Sequence, residues 1–222
     1  MIPWQHLDST KLPDGGELKL ARRGSEFSIR LAGAELMNSR LSASEEALAT
    51  LAAVKLAGRK APRILVGGLG MGFTLRAALG VFGPDARIVV AELLPAVVAW
   101  GRGPMAELFV GSLDDRRVSV EVADVAQVIR AGRWDAILLD VDNGPEAMTQ
   151  SANDSLYGAG GIAAAWRGLN PGGVLGVWSE GPNPAFAKRL QRGGFAVEET
   201  RVAAHRGKSG RRHVIWMGTR VG

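Results

Sequence analysis

The sequence predicts an α/β protein in which a mostly parallel sheet, covered by helices on both faces, ends in an antiparallel hairpin and follows a small N-terminal β-hairpin unit. Three observations predict it. Residues 63–76 run apolar through Ile64, Leu65 and Val66, break into glycines at 67, 68, 70 and 72, and resume with helical spacing, which reads as strand, tight turn and helix. From there to residue 192, short apolar runs alternate with helical patterns. The end departs from that rhythm, because 195–203 and 213–219 are strand-like with only a basic loop between them, so they pair antiparallel.

The elements follow in order. Pro13-Asp14-Gly15-Gly16 is a turn, and residues 17–22 and 26–31 alternate apolar and polar side chains around Arg23-Gly24-Ser25, a hairpin pattern. A second turn at Ala32-Gly33 leads to a short strand at 35–37, so the first forty residues form a small antiparallel unit. Ser42 or Ser44 caps a helix over 45–57, where Leu48, Leu51, Ala52 and Leu56 recur at helical spacing, and Ala61-Pro62 stops it. Then come strand 63–66, helix 71–81, strand 87–91, a helix opening at Pro95, strand 118–122, helix 125–130 and strand 134–139. A loop rich in Asp, Asn, Gly and Pro precedes a helix at 160–167, strand 173–178 and helix 184–192. Five β-α units and a terminal hairpin are the layout of the Rossmann-like class I methyltransferase fold, with seven strands in all. The one plausible boundary lies near residue 60, giving an N-terminal unit with its linking helix over 1–60 and a methyltransferase-like domain over 61–222.

Composition limits the function. Across 222 residues, 46% are hydrophobic, enough for a globular core, and the first residues lack a basic segment followed by an apolar one. Every long apolar run is interrupted by charge or glycine before it reaches membrane length, so a soluble, cytoplasmic protein with no membrane partner is expected. The chain has no cysteine and three dispersed histidines, which exclude disulfides, thiolate metal sites and a cysteine nucleophile and argue against a histidine metal cluster. No metal is expected, and any cofactor is organic. Much of the net charge of +5 sits late, at Arg201, Arg206, Lys208, Arg211, Arg212 and Arg220, around a glycine-containing loop. Such a loop admits a nucleic-acid partner, yet it lacks interleaved aromatics for base stacking.

In an open α/β sheet the ligand lies beyond the C-terminal ends of the strands, and four such ends carry informative residues. The first is the glycine turn itself, Gly67, Gly68, Gly70 and Gly72, where missing Cβ atoms let a nucleotide-like ligand approach the backbone and N–H groups at a helix start. Glycine also serves such a turn for purely steric reasons. The second is Glu92, with Leu93 beside it, about 20 residues past the turn, where an acid accepts hydrogen bonds from ribose hydroxyls. Asp124 and Val125 follow the next strand; the carboxylate accepts from an adenine amine or caps the helix that starts there, and the two roles are compatible. The fourth is Asp140-Val141-Asp142-Asn143-Gly144-Pro145, whose acids stand where an amine nucleophile is held or deprotonated.

In this order and spacing the motifs resemble the spermidine synthase family of aminopropyltransferases. The likeness takes in the N-terminal β unit, the Glu-containing early helix, the glycine turn followed by Thr74-Leu75-Arg76, Glu92, Asp124, Trp134-Asp135-Ala136-Ile137, the acidic loop closing in Gly144-Pro145, Leu156-Tyr157 and Pro171-Gly172-Gly173. The resemblance implies that Glu92 and Asp124 hold an adenosine, that Asp140 handles the incoming amine with Asp142 and Tyr157 beside it, and that the protein is a homodimer. Two positions depart from pattern: Gly70 and Met71 stand where the family has an acid that holds the aminopropyl amine, and Val66 stands where many methyltransferases have the acid that binds a methionine amine.

The leading expectation is therefore a transferase that binds S-adenosylmethionine or its decarboxylated form and moves an aminopropyl group to an amine or polyamine. One alternative is methyl transfer to another small-molecule nucleophile. A different class of alternative is a non-catalytic binding protein that uses the basic loop over 206–212.

Overall fold

Two sheets and a shared hydrophobic core position the site. The computed structural model describes residues 2–13, 15–141, 145, 156–204, 210 and 212–222. Four strands, β1 (Gln5–Lys11), β2 (Glu17–Arg23), β3 (Glu26–Leu31) and β4 (Ala34–Asn38), form an antiparallel sheet in that order. The sequence pattern foretells the last three. β1 is additional, and it escapes the pattern because it is an edge strand with no buried residue. Leu18 and Leu20 alternate inward on β2, and Phe27 and Ile29 do so on β3. They join one core with Leu48 and Ala52 of α1 (Ala43–Lys55) and with Ile64 and Val66, so apolar packing is continuous across residue 60.

The second sheet contains β5 (Arg63–Gly67), β6 (Arg87–Glu92), β7 (Val118–Val122), β8 (Trp134–Leu139), β9 (Leu169–Ser179), β10 (Phe195–Ala203) and β11 (Arg212–Arg220). Their order is β10-β11-β9-β8-β5-β6-β7, with β11 antiparallel to both neighbours and the other pairs parallel. This is the seven-stranded Rossmann-like methyltransferase arrangement that the apolar runs predict. The covering helices are α2 (Phe73–Val81), α3 (Pro95–Arg102), α4 (Ala106–Phe109), α5 (Val125–Ala131), α6 (Ala159–Gly168) and α7 (Pro184–Arg192). Among the described residues, no helix is long and apolar enough to cross a membrane.

Local differences from expectation have physical causes. Helix α2 starts at Phe73 rather than 71, because Gly70 (φ 48°) and Gly72 (φ 77°) hold left-handed turn conformations that a helix cannot contain. Residues 106–114, which carry no periodic signal, form α4 and a 3-10 turn at Ser112–Asp114. Their anchor is Phe109, which is 2% exposed and fills the space beside Gly72 and Gly101.

The chain leaves β5 toward β6 and β7, then returns to build β8 and β9 on the other side. In open sheets a ligand crevice lies at such a reversal, beyond the ends of β5 and β8, and there the Asp140 N–H donates to the Gly67 carbonyl at 3.0 Å.

Candidate functional site

The glycine turn is shaped first by its protein neighbours. A Cβ at Gly67 would lie 2.7 Å from Val125 Cγ2, one at Gly68 2.5 Å from the Asp140 carbonyl, and one at Gly72 2.5 Å from the Phe109 ring. These three glycines are needed for packing whether or not a ligand binds. Gly70 differs, since it faces Met37 of β4, whose sulfur would lie 2.9 Å from a Cβ there. The N–H groups are engaged too: Gly68 donates to the Ala91 carbonyl, Leu69 to Glu92 Oε2 and Gly72 to the Leu69 carbonyl, at 2.9, 2.9 and 2.8 Å. The expected free donors are thus absent at those three positions.

Glu92 ends β6 and is nearly buried. Its Oε2 accepts from Leu69 and its Oε1 from Leu94, both at 2.9 Å, so the acid fastens the glycine turn to the next strand. Burial raises its pKa, and the backbone hydrogen bonds oppose that shift. The Gly70 and Leu93 N–H groups also act on it, so a ribose hydroxyl would share the carboxylate with four backbone donors. Leu93 beside it is 54% exposed, an apolar side chain open at the rim of the crevice. Asp124 is the N-cap of α5, accepting from the Ala126 N–H at 2.7 Å through Oδ1, while Val125 is buried against Gly67. The two sides of the expected adenosyl set, the ends of β6 and β7, are adjacent, because Ala123 N–H donates to the Glu92 carbonyl at 3.0 Å.

Across the crevice, Asp140 accepts from Thr74 Oγ1 at 2.7 Å, and the same hydroxyl lies 3.3 Å from the Glu45 carbonyl of α1. The Glu45 side chain, 8% exposed, receives Ser44 Oγ at 2.6 Å, and Ser44 Oγ is 2.8 Å from His213 Nδ1 on β11. Trp178 closes this chain, packing edge-on to His213 with ring centroids 4.7 Å apart and with no acceptor for its buried indole N–H. Loss of water pushes Asp140 up to about 6, against the Thr74 hydrogen bond. Burial, and next the Asp140 charge, push Glu45 up to about 7, against the Ser44 hydrogen bond. Glu45 is buried and Asp140 partly exposed, and two neighbouring carboxyls resist ionising together, which favours a shared proton toward neutral pH.

The structure therefore brings Gly67, Gly68, Glu92, Val125 and Asp140 to one crevice. Tyr157 is buried at its edge, its hydroxyl donating to the Val141 carbonyl at 3.3 Å and its ring set edge-on to Phe186. Asp142 lies outside the described residues, as do Arg206, Lys208 and Arg211 of the basic loop. Sequence reasoning missed Glu45, Ser44 and His213 as site residues. Glu45 did leave a signal, because it precedes Leu48 by three and Ala52 by seven and so stands on the buried stripe of its helix, where an unpaired acid is out of place.

No protein-family model matches the sequence, and no curated protein matches it. Solved structures do. The spermidine synthase from Thermotoga maritima matches with a TM-score of 0.76 at 16% identity, over 97% of this chain and 73% of its own. A spermidine synthase in complex with the transition-state analogue AdoDATO matches with a TM-score of 0.75 at 16% identity, over 97% of this chain and 72% of its own. The chain has the fold of the spermidine synthases, N-terminal sheet included.

Proposed function

We propose that the protein is a transferase of the spermidine synthase kind, moving an aminopropyl group from decarboxylated S-adenosylmethionine to an amine. The observation that carries this reading is the Asp140–Glu45 pair. Two carboxyls, Glu45 buried and Asp140 partly exposed, stand together at the reversal point of the sheet, and among the described residues neither has a lysine or arginine within ion-pair distance. Such a pair is complete only with a cation, and an alkylammonium supplies one. Glu92 and Asp124, at the ends of adjacent strands with exposed Leu93 beside them, support a ribose and adenine site for an adenosyl group.

The chemistry asks for alignment and one proton removal. When bound, the co-substrate supplies an activated carbon on its sulfonium, so the protein need not generate a leaving group. An ammonium cannot attack until it loses a proton, and the half-charged pair accepts it near neutral pH. Ser44 then allows onward transfer: a protonated Glu45 donates to Oγ while the hydroxyl proton moves to His213 Nδ1. Leu93 and the Met37 side chain over Gly70 keep the remaining wall apolar.

Methyl transfer is the second reading, favoured by one specific observation. Of Gly70 and Met71, which stand where the family has its amine-holding acid, Gly70 is covered by Met37 and Met71 is fully buried, so the turn offers the aminopropyl tail no carboxylate. Incubation with either co-substrate and a panel of amines separates the two. Methylthioadenosine released with an alkylated amine is the expected product, and S-adenosylhomocysteine alone overturns aminopropyl transfer. By calorimetry, Glu92→Ala should weaken methylthioadenosine binding at least about tenfold, as loss of a charged hydrogen-bond acceptor does. Unchanged affinity would remove Glu92 from the ribose site.

A further inference from the structure

The opposite end of the sheet carries a second cluster of charge. Arg63 opens β5, Arg130 and Arg167 lie in the last turns of α5 and α6, and Arg133 follows α5. Together with Gly132 and Gly168 they line a cavity of about 460 Å³ that has no acidic residue in its wall. Among the described residues, none of the four forms an ion pair. The nearby Asp135 is already committed, accepting from Arg59, Asn170 and the Arg63 backbone N–H.

Arginines near helix C-termini have an ordinary use, satisfying the last carbonyls and the negative end of the dipole. That use is too small here. Two helix ends carry about half a negative charge each, about one charge in all, against four guanidinium groups. Only Arg133 caps a carbonyl, that of Arg167. Two of the four are held in place, Arg133 by that bond and Arg63 by stacking over Trp134 at 5.0 Å, so a ligand would not have to order them. Behind Gly132 of the wall lies a buried donor that is not itself part of the lining. Trp134 is 2% exposed, its indole N–H has no acceptor, and the ring edge bearing Nε1 lies against Gly132, 2.6 Å from where a Cβ would stand. A buried indole N–H normally finds a partner.

We propose that this cavity is a binding site for a small polyphosphate anion, an inorganic di- or triphosphate or the same group on a nucleotide. Planar guanidinium forks match phosphoryl oxygens two at a time, which favours phosphate over a spherical anion. The space exceeds what one phosphate fills and is within the range of small-ligand pockets. Arg63 and Trp134 begin their strands whereas Gly67 and Asp140 end or follow the same strands, so the anion site and the carboxyl pair lie at opposite ends of the sheet. Occupancy of one does not exclude the other, and the inference does not rest on the transferase reading.

The test uses the full chain and calorimetry at constant ionic strength, titrating pyrophosphate, tripolyphosphate and a nucleoside triphosphate, with sulfate as control. Tripolyphosphate should bind saturably, and tighter binding of the nucleotide would identify a base-bearing ligand. In the double variant Arg130→Gln/Arg167→Gln the affinity should fall at least about tenfold, with the melting temperature of the ligand-free protein unchanged. The single charge reversal Arg130→Glu should do the same, which guards against a folding defect in the double variant. Arg206→Gln/Lys208→Gln/Arg211→Gln, in the basic loop, should leave the affinity intact. Unchanged binding in both cavity variants, loss of binding in the loop variant, or an RNA that binds here when tripolyphosphate does not, each overturns the proposal.

Discussion

Asp135 and Asp140 belong to the same stretch of chain, one inside β8 and one just past its end, and their surroundings treat them oppositely. Asp135 loses water to burial, yet the Arg63 N–H, the Asn170 amide and the Arg59 guanidinium together outweigh that loss and hold its pKa below the usual value. Asp140 loses water and receives one neutral hydroxyl, and its pKa rises. The first is saturated with donors and works as a clamp between β5, β8 and the start of β9. Among the described residues, the second has no lysine or arginine within ion-pair distance and stands beside another acid. An unmet need for a cation, more than the presence of an acid, distinguishes a chemical site from a structural one.

The sharpest way to break that comparison is to neutralise each acid. Asp140→Asn or Glu45→Gln should lower transfer activity by about two to four orders of magnitude, the usual worth of a general base, while methylthioadenosine affinity stays near wild type. Asp135→Ala should leave activity per folded molecule unchanged but cost about 3 kcal/mol of stability, since it strands a guanidinium, an amide and a backbone N–H. Urea denaturation reads the second effect. A stable, inactive Asp135→Ala protein would reverse the roles assigned to the two acids.

The pH dependence of stability sharpens the same contrast. Glu45 is raised from 4.5 to about 7, so its favourable contribution is fully present below pH 4.5 and is lost as pH rises through about 7. Asp140 follows the same sign, present below pH 3.8 and lost through about 6. Wild type should therefore lose stability between pH 4 and 8 relative to Glu45→Gln, by up to about 3 kcal/mol at one kilocalorie and a third per unit. Denaturation midpoints across that range measure it. Parallel curves for the two proteins would mean that Glu45 has the same pKa folded and unfolded.

What the sequence disclosed follows from where hydrophobicity is periodic. β5, β6 and β8 are buried on both faces and stand out as apolar runs, and α7 is bounded by Pro184 and Gly193 as its amphipathic pattern predicts. β1 has no fully buried residue, only Leu7 partly packed on the core, and α4 depends on one aromatic filling two glycine gaps, so neither has a period to read. For the site, strand-end position marked Glu92, Asp124 and Asp140. It did not mark Ser44, Glu45 and His213, because these meet only when α1 packs across the sheet onto β11, a pairing between residues 169 positions apart. The arginine cavity was hidden for the same reason: its four members are scattered from 63 to 167 and only the sheet's lower end collects them.

Asp124 stands between the two extremes, and it gives the smallest effect. Among the described residues its side chain has one hydrogen-bond partner, the Ala126 N–H at 2.7 Å, taken by Oδ1 in its role as N-cap. Asp124→Asn keeps a cap acceptor and should change stability by only a few tenths of a kcal/mol, whereas Asp124→Ala should cost about 1 kcal/mol. If the second oxygen also accepts from an adenine amine, both variants should weaken methylthioadenosine binding by a similar several-fold factor, because an amide presented to that amine loses the charge that strengthens the bond. Calorimetry beside urea denaturation separates the roles. Full affinity in Asp124→Asn with the expected loss of stability in Asp124→Ala would make Asp124 a cap alone, on the structural side of the line that Asp135 and Asp140 define.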